Sequence, residues 1–135
     1  MLAHEAWLGL RVSTRADSGF VRVHERAENA GALYIVFDWH GGRTLEQLQK
    51  SGPRGGVAEV IGAAVAIAKA LGRLHRQGVV HRDIKPGNLH LGEDGRWRIL
   101  DLGVALSGRE GEAQRELHAG TPSYINPEQL SLIHI

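Results

Sequence analysis

The sequence predicts an α+β chain, with short strands pairing antiparallel with their neighbours along the chain and helices set against them. Three observations carry this. Ala32 to Trp39 is a β-rich apolar run of the kind that forms a buried strand. From Val57 to Gln77, the residues Val60, Ala64, Ile67, Leu71 and Leu74 recur at spacings of three and four, which predicts a core helix. Leu89 to Leu91 and Trp97 to Leu100 flank a turn at Glu93 to Gly95 and read as a hairpin.

Taken in order, the first expected element is a helix from about Met1 to Val12. Ala3, Ala6, Trp7, Leu10 and Arg11 would place an apolar stripe on one of its sides, and no capping residue precedes it. After a turn cluster from Ser13 to Gly19, Phe20, Val21 and Val23 read as a short strand that would pair antiparallel with the Ala32 run. Gly41 and Gly42 break that run. Thr44 and Gln47 then have the spacing of a capping box for a helix from Leu45 to Lys50. A Gly and Pro linker from Ser51 to Gly56 leads into the long helix, which Gly78 stops. Trp7, Trp39 and Trp97 are expected to be core or half-buried packing. Residues 107–120 form a polar, aperiodic stretch longer than a compact domain keeps without a functional reason.

Composition narrows the function classes. With 42% hydrophobic and 23% charged residues, the chain is ordinary globular material and not a disordered segment. Its 16 basic residues are interspersed with 15 acidic ones, so no concentrated positive field points to nucleic acid. There are no cysteines, which removes disulfides, thiolate metal sites and a cysteine nucleophile. The longest apolar run, Val57 to Ala68, is interrupted by Glu59 and is far shorter than a membrane span of about 18 residues. No secretory signal is visible at the amino terminus, and the cytoplasm is the expected location. The eight histidines show no metal-ligand spacing.

The chemistry lies in the loops. His81-Arg82-Asp83-Ile84-Lys85-Pro86-Gly87-Asn88 is followed, eighteen residues after Asp83, by Asp101-Leu102-Gly103. Gly120-Thr121-Pro122-Ser123-Tyr124 and Pro127-Glu128 come later, with Asn126 where Ala would be usual. These motifs resemble the catalytic loop, the metal-binding segment and the end of the activation segment of protein kinases. That resemblance implies a two-lobed kinase-like fold, present here as the end of the small lobe, the hinge and the first half of the helical lobe. It also implies transfer of the ATP γ-phosphoryl group to Ser or Thr of a protein, with ATP and Mg2+ as cofactors. Asp83 would accept the proton of the substrate hydroxyl, and Asn88 and Asp101 would hold magnesium through hard oxygen ligands. Lys85 would offset charge on the transferring group and points to serine/threonine specificity. Thr121 would bond to Asp83 and Lys85 and help seat the acceptor, and His81 would be structural.

Leu33 to Gly42 resembles the fifth strand and hinge of the same family. The resemblance makes Phe37 a gatekeeper, gives the backbone at Asp38 and His40 to the adenine edge, places Leu89 under the adenine ring, and makes Glu5 a partner of the ATP-positioning Lys. Arg82 belongs with kinases that hold a phosphorylated activation loop. No Ser, Thr or Tyr lies between Ser107 and Thr121, so Glu112 or Glu116 is the expected anion for Arg82. The wording around Asn88 to Leu91 and Ile99 to Ala105 is similar to kinases fused to PP2C-type phosphatases, which makes a fused phosphatase an expected partner. Residues 1–129 are expected to be a partial kinase domain lacking the Gly-rich loop and its Lys, and therefore inactive alone. Residues 130–135 are expected to be a non-native, adapter-encoded tail. A non-catalytic pseudokinase or protein-binding module is the alternative reading, and a small-molecule phosphotransferase is disfavoured by Arg82, Lys85 and the Thr121 to Glu128 segment.

Overall fold

The computed structural model describes residues 2–12, 18–29, 31–52, 55–102, 105, 121–125 and 127. Helix α1 (Leu2–Val12) precedes strands β1 (Val23–Asn29), β2 (Ala32–Phe37) and β3 (Gly42–Thr44). Helices α2 (Leu45–Lys50) and α3 (Val57–Arg76) follow, then strands β4 (Leu89–Gly92) and β5 (Trp97–Ile99). Two 3-10 turns occupy Pro86–Asn88 and Pro122–Tyr124. The strands make two antiparallel sheets, β1-β2 and β3-β4-β5. This mixed architecture agrees with the α+β expectation, including the pairing of the first strands and the hairpin. Phe20 lies outside β1. It forms a parallel bridge to Ile99, whose N–H donates to Gly19 O at 2.8 Å, and this bridge ties the segment before β1 to the edge of the second sheet.

The core forms where the elements converge. Leu8 and Val12 of α1, Ala70 and Leu74 of α3, Phe20, Val79, Leu89, Ile99, Leu102 and Ala105 make one buried cluster. α3 ends in a Schellman motif: Val79 N–H donates to Leu74 O at 3.2 Å and Gly78 N–H to His75 O at 2.8 Å, with Gly78 at φ +72°. Leu74 and Val79, the two residues such a motif brings into apolar contact, are both fully buried. The expected capping box opens α2, with Thr44 Oγ1 accepting from Gln47 N–H and Gln47 Oε1 accepting from Thr44 N–H at 2.8 Å. Strand β3 is not legible in the sequence. It depends on Gly42, at φ +136°, where a Cβ would lie 2.1 Å from Leu91 O.

Three burial expectations change. In α1 the inward residues are Leu8 and Val12, four apart, while Trp7 and Leu10 stay exposed and Arg11 stacks over the Trp7 ring at 5.4 Å. In α3 only the carboxy-terminal half is core: Leu74 is fully buried, but Val57 is 77% and Val60 62% exposed. The helix packs on β5, and among the described residues no element covers its first half. β2 is half of a two-stranded ribbon with β1 and not a buried strand, so Tyr34 and Phe37 are exposed and Trp39, just beyond it, is 92% exposed. Trp97 packs against the core as expected.

Candidate active site

The loop between α3 and β4 is fixed at both ends before it reaches any functional group. The Schellman cap sets its entry. His81, 2% exposed, then anchors it: Nδ1 accepts from Asp83 N–H at 3.2 Å and Nε2 lies 3.1 Å from Leu100 O. A ring whose Nδ1 accepts and whose Nε2 faces a carbonyl is the neutral Nε2–H tautomer. Burial holds its pKa below the usual histidine value, outweighing the Leu100 carbonyl and the charges of Asp101 and Asp83. The sequence assignment of His81 as a structural residue agrees with this geometry. At the loop's exit, Asn88 N–H donates to Lys85 O at 2.9 Å and Leu100 N–H to Asn88 O at 2.8 Å, which clamps the loop to β5.

Asp83 is the centre of a polar network. Its Oδ1 accepts from both Thr121 N–H and Thr121 Oγ1, each at 2.9 Å. Its Oδ2 accepts from Asn88 Nδ2 at 3.1 Å and pairs with Lys85 Nζ at 3.3 Å. Lys85 Nζ also donates to Thr121 Oγ1 at 2.6 Å, and Asn88 Nδ2 to Asp83 O at 2.9 Å. Burial would raise the Asp83 pKa, but the hydrogen bonds from Thr121 and Lys85 and the Lys85 charge reverse that and hold it below the ordinary carboxylate value. Asp83 is therefore an ionised, oriented acceptor. Thus four of the expected catalytic residues, Asp83, Lys85, Asn88 and Thr121, come together although Thr121 lies far along the chain.

Asp101, the fifth, sits just past β5 at φ +60°, and Arg82 at φ +70°. These are the two non-glycine residues with left-handed backbone among those described, and Arg82 immediately precedes Asp83 in the chain. Because both Asn88 Nδ2 bonds go to Asp83, Asn88 Oδ1 remains for a cation, and Asp101, one residue past the carbonyl that anchors His81, supplies a carboxylate. One amide oxygen and one carboxylate suit magnesium, which keeps several waters and shares substrate phosphates. Among the described residues no cluster of three His, Cys, Asp or Glu forms a metal cage.

Beside this network a cleft of about 480 Å³ opens between the two sheets. Phe20, Val21, Val23, Phe37, Ile99 and Leu102 contribute apolar lining, and Asp38, Trp39, His40 and Asp101 also line it. Phe37, Asp38 and His40, three of the residues named for the base site, all line this cleft. Asp38 N–H already donates to Arg22 O at 3.0 Å, so of its backbone groups the carbonyl is the one left for a ligand, and its carboxylate pairs with His24 of β1 at 2.5 Å. That bond to His24 is the main cause of a lowered Asp38 pKa.

Leu89 is a correction. It turns into the core against Ile99, and the cleft-facing residue of β4 is His90, since successive strand side chains point to opposite faces. The phase of that alternation, counted from Asn88, was the signal available. Burial, then the Arg98 and His40 charges, lower the His90 pKa. Asp94 is a turn residue, as expected, accepting from Arg96 N–H at 3.1 Å, and it also holds the buried Arg98 in a bidentate pair, which lowers the Asp94 pKa. The backbone of Glu5 lies on α1, but its side chain lies outside the described residues, as do Glu112, Glu116 and residues 130–135.

Comparison with known proteins agrees with these motifs. The family model "Protein kinase domain" matches residues 11–134. A "Probable serine/threonine-protein kinase" of Clostridium acetobutylicum is 32% identical over 84% of this chain and 18% of its own length. A protein of the same description from Streptomyces coelicolor is 36% identical over 76% of this chain and 16% of its own. Human "Myotonin-protein kinase" is 36% identical over 83% and 18%. The chain thus spans less than a fifth of the length of these curated relatives. No helix among the described residues is long and apolar enough to cross a membrane. On the family match across most of its length, together with the loop and cleft that carry the motifs, this chain belongs to the protein kinase domain family.

Proposed function

We propose that this chain carries the phosphoryl-transfer centre of a serine/threonine protein kinase, using ATP and a divalent cation and acting on a Ser or Thr hydroxyl of a protein. The observation that carries the reading is the Asp83 carboxylate, held ionised and oriented by Thr121, Lys85 and Asn88 beside a cleft large enough for a nucleotide. The nucleoside lies in the apolar part of the cleft between Phe37 and Ile99, its base edge toward the backbone of Asp38 and His40. Its phosphates run toward Asp101 and Asn88, the two residues that would hold magnesium, and magnesium bound there would offset phosphate charge.

The four donors around Asp83 suggest an order of events. Both carboxylate oxygens are saturated, and Lys85 makes the longest of the four contacts, at 3.3 Å. Lys85 turns to the transferring group and frees a lone pair on Oδ2 for the acceptor hydroxyl. The hydroxyl oxygen attacks the γ-phosphorus, the bond from phosphorus to the oxygen shared with the β-phosphate breaks, ADP leaves, and the hydroxyl proton passes to Asp83. The test is transfer of labelled γ-phosphate from ATP to a Ser/Thr protein substrate by the full-length product of the locus encoding this chain. Asp83→Ala is expected to reduce transfer by at least about 100-fold, as loss of an acid–base group does. Unchanged transfer by that variant would refute the assignment.

A further inference from the structure

The exposed half of α3 borders a second concavity, which shares no lining residue with the cleft beside Asp83. It is a groove of about 1330 Å³ lined by residues of α2, α3, β4 and β5 and the turns next to them. Leu45, Leu48, Val60, Ile67, Leu91 and Trp97 make much of its surface apolar. Around this half of α3, Val57, Ile61 and Val65 are exposed as well as Val60, and a helix apolar on most of its circumference is normally covered.

Size and charge define what covers it. The groove exceeds the roughly 300–1,000 Å³ of sites for drug-sized ligands, so it suits an extended chain. Its charged lining is Lys69 and Arg73 of α3 and Arg96 and Arg98 of the hairpin, against Glu59. Asp94 holds Arg98, and the Glu59 carboxylate accepts from Gly56 N–H at the start of α3. Positive charge is therefore in excess, with Lys69 and Arg96 exposed. A purely apolar cover would strip these cations of water without return, whereas carboxylates would keep them paired. We propose that this groove docks a peptide segment of a partner protein, one that sets aliphatic side chains on Leu45, Val60 and Ile67 and acidic side chains near Lys69, Arg73 and Arg96. The site is separate from the phosphoryl-transfer centre and its occupancy does not depend on that reading. It shares a support with the centre, because α2 lines the groove and also packs on the Pro86–Asn88 turn.

The experiment is fluorescence anisotropy of two short labelled peptides, one of Leu and Glu and one of Leu and Lys, titrated with the full-length protein at low and high salt. The Leu/Glu peptide is expected to bind at least about tenfold more tightly than the Leu/Lys peptide, with the difference shrinking as salt rises. Lys69→Glu combined with Arg96→Glu, both at exposed positions, is expected to abolish or reverse the preference with the melting temperature unchanged. The comparison of the two peptides on the unsubstituted protein stands even if that variant fails to fold. Equal binding of both peptides marks a non-selective apolar surface and overturns the proposal. Binding of neither means that another part of the whole protein covers the groove, and a preference that survives the double substitution places the peptide elsewhere; each overturns it too. Self-association of the unsubstituted protein that the double substitution removes assigns the groove to a second copy and likewise overturns it.

Discussion

Replacing Thr121 by Val isolates the hydroxyl at the middle of the catalytic network. The two side chains have nearly the same shape, and the backbone N–H of residue 121 continues to donate to Asp83 Oδ1 at 2.9 Å. Two contacts disappear: the hydroxyl's 2.9 Å bond to Oδ1 and the 2.6 Å bond it accepts from Lys85. Lys85 keeps only its 3.3 Å pairing with Oδ2, so it is held less firmly and screens Asp83 differently. A hydrogen bond to a charged group contributes roughly 1.5–3 kcal/mol net. If one such bond is lost in the transition state, kcat/KM falls by about 10- to 150-fold, at 1.4 kcal/mol per decade. Thr121 is also among the groups that lower the Asp83 pKa, so its loss moves the acid limb of the kcat/KM profile toward higher pH. Steady-state phosphoryl transfer by the full-length protein across pH measures both effects, and Thr121→Ser is expected to restore activity. Activity within twofold of the parent, or an acid limb that does not move, would sink the account of Thr121 as an orienting residue.

Two further outcomes concern the scaffold. His81 is buried in its neutral form with a lowered pKa, so the unfolded chain takes up a proton near pH 6.5 before the folded one does. The stability this contributes is fully present above about pH 6.5 and declines as pH falls toward the lower folded value. A urea midpoint that drops on acidification through this window, with a shallower drop in His81→Gln, is expected; a rising midpoint would contradict it. Gly78→Ala places a Cβ on a left-handed residue at φ +72° and is expected to cost about 1–2 kcal/mol in urea unfolding, with no effect meaning that the helix ends another way.

The parts of the molecule legible in the sequence are those fixed by short-range chemistry. The loop from His81 to Asn88 was readable because its roles attach to residue types at set spacings, and the Thr44–Gln47 box because both bonds close within three residues. What escaped depends on partners distant in sequence. The period in α3 gives the correct helix but not what lies against it, so Val60 and Ala64 of the predicted stripe are exposed, while Ile67, Ala70, Leu71 and Leu74 reach the core. β3 has three residues and no alternation, and exists only through its pairing with β4. Leu89 and His90 show the sensitivity of strands to phase: a count displaced by one residue exchanges the core face for the cleft face. The meeting of Thr121 with Asp83 was foreseen from the family resemblance, since spacing alone carries no information across that distance.

The cleft is lined by residues far apart in the chain, among them Phe20, Val23 and Phe37 from one stretch and Ile99 and Leu102 from another, joined directly by the Phe20–Ile99 bridge. A molecule seated there touches both, so its affinity is also a cohesive force between the two sheets. By mass action a ligand at a hundred times its dissociation constant adds about 2.7 kcal/mol to the folded state. The protein's resistance to unfolding is thereby linked to the concentration of whatever fills the cleft, and in a cell that concentration would help to set how long the molecule survives.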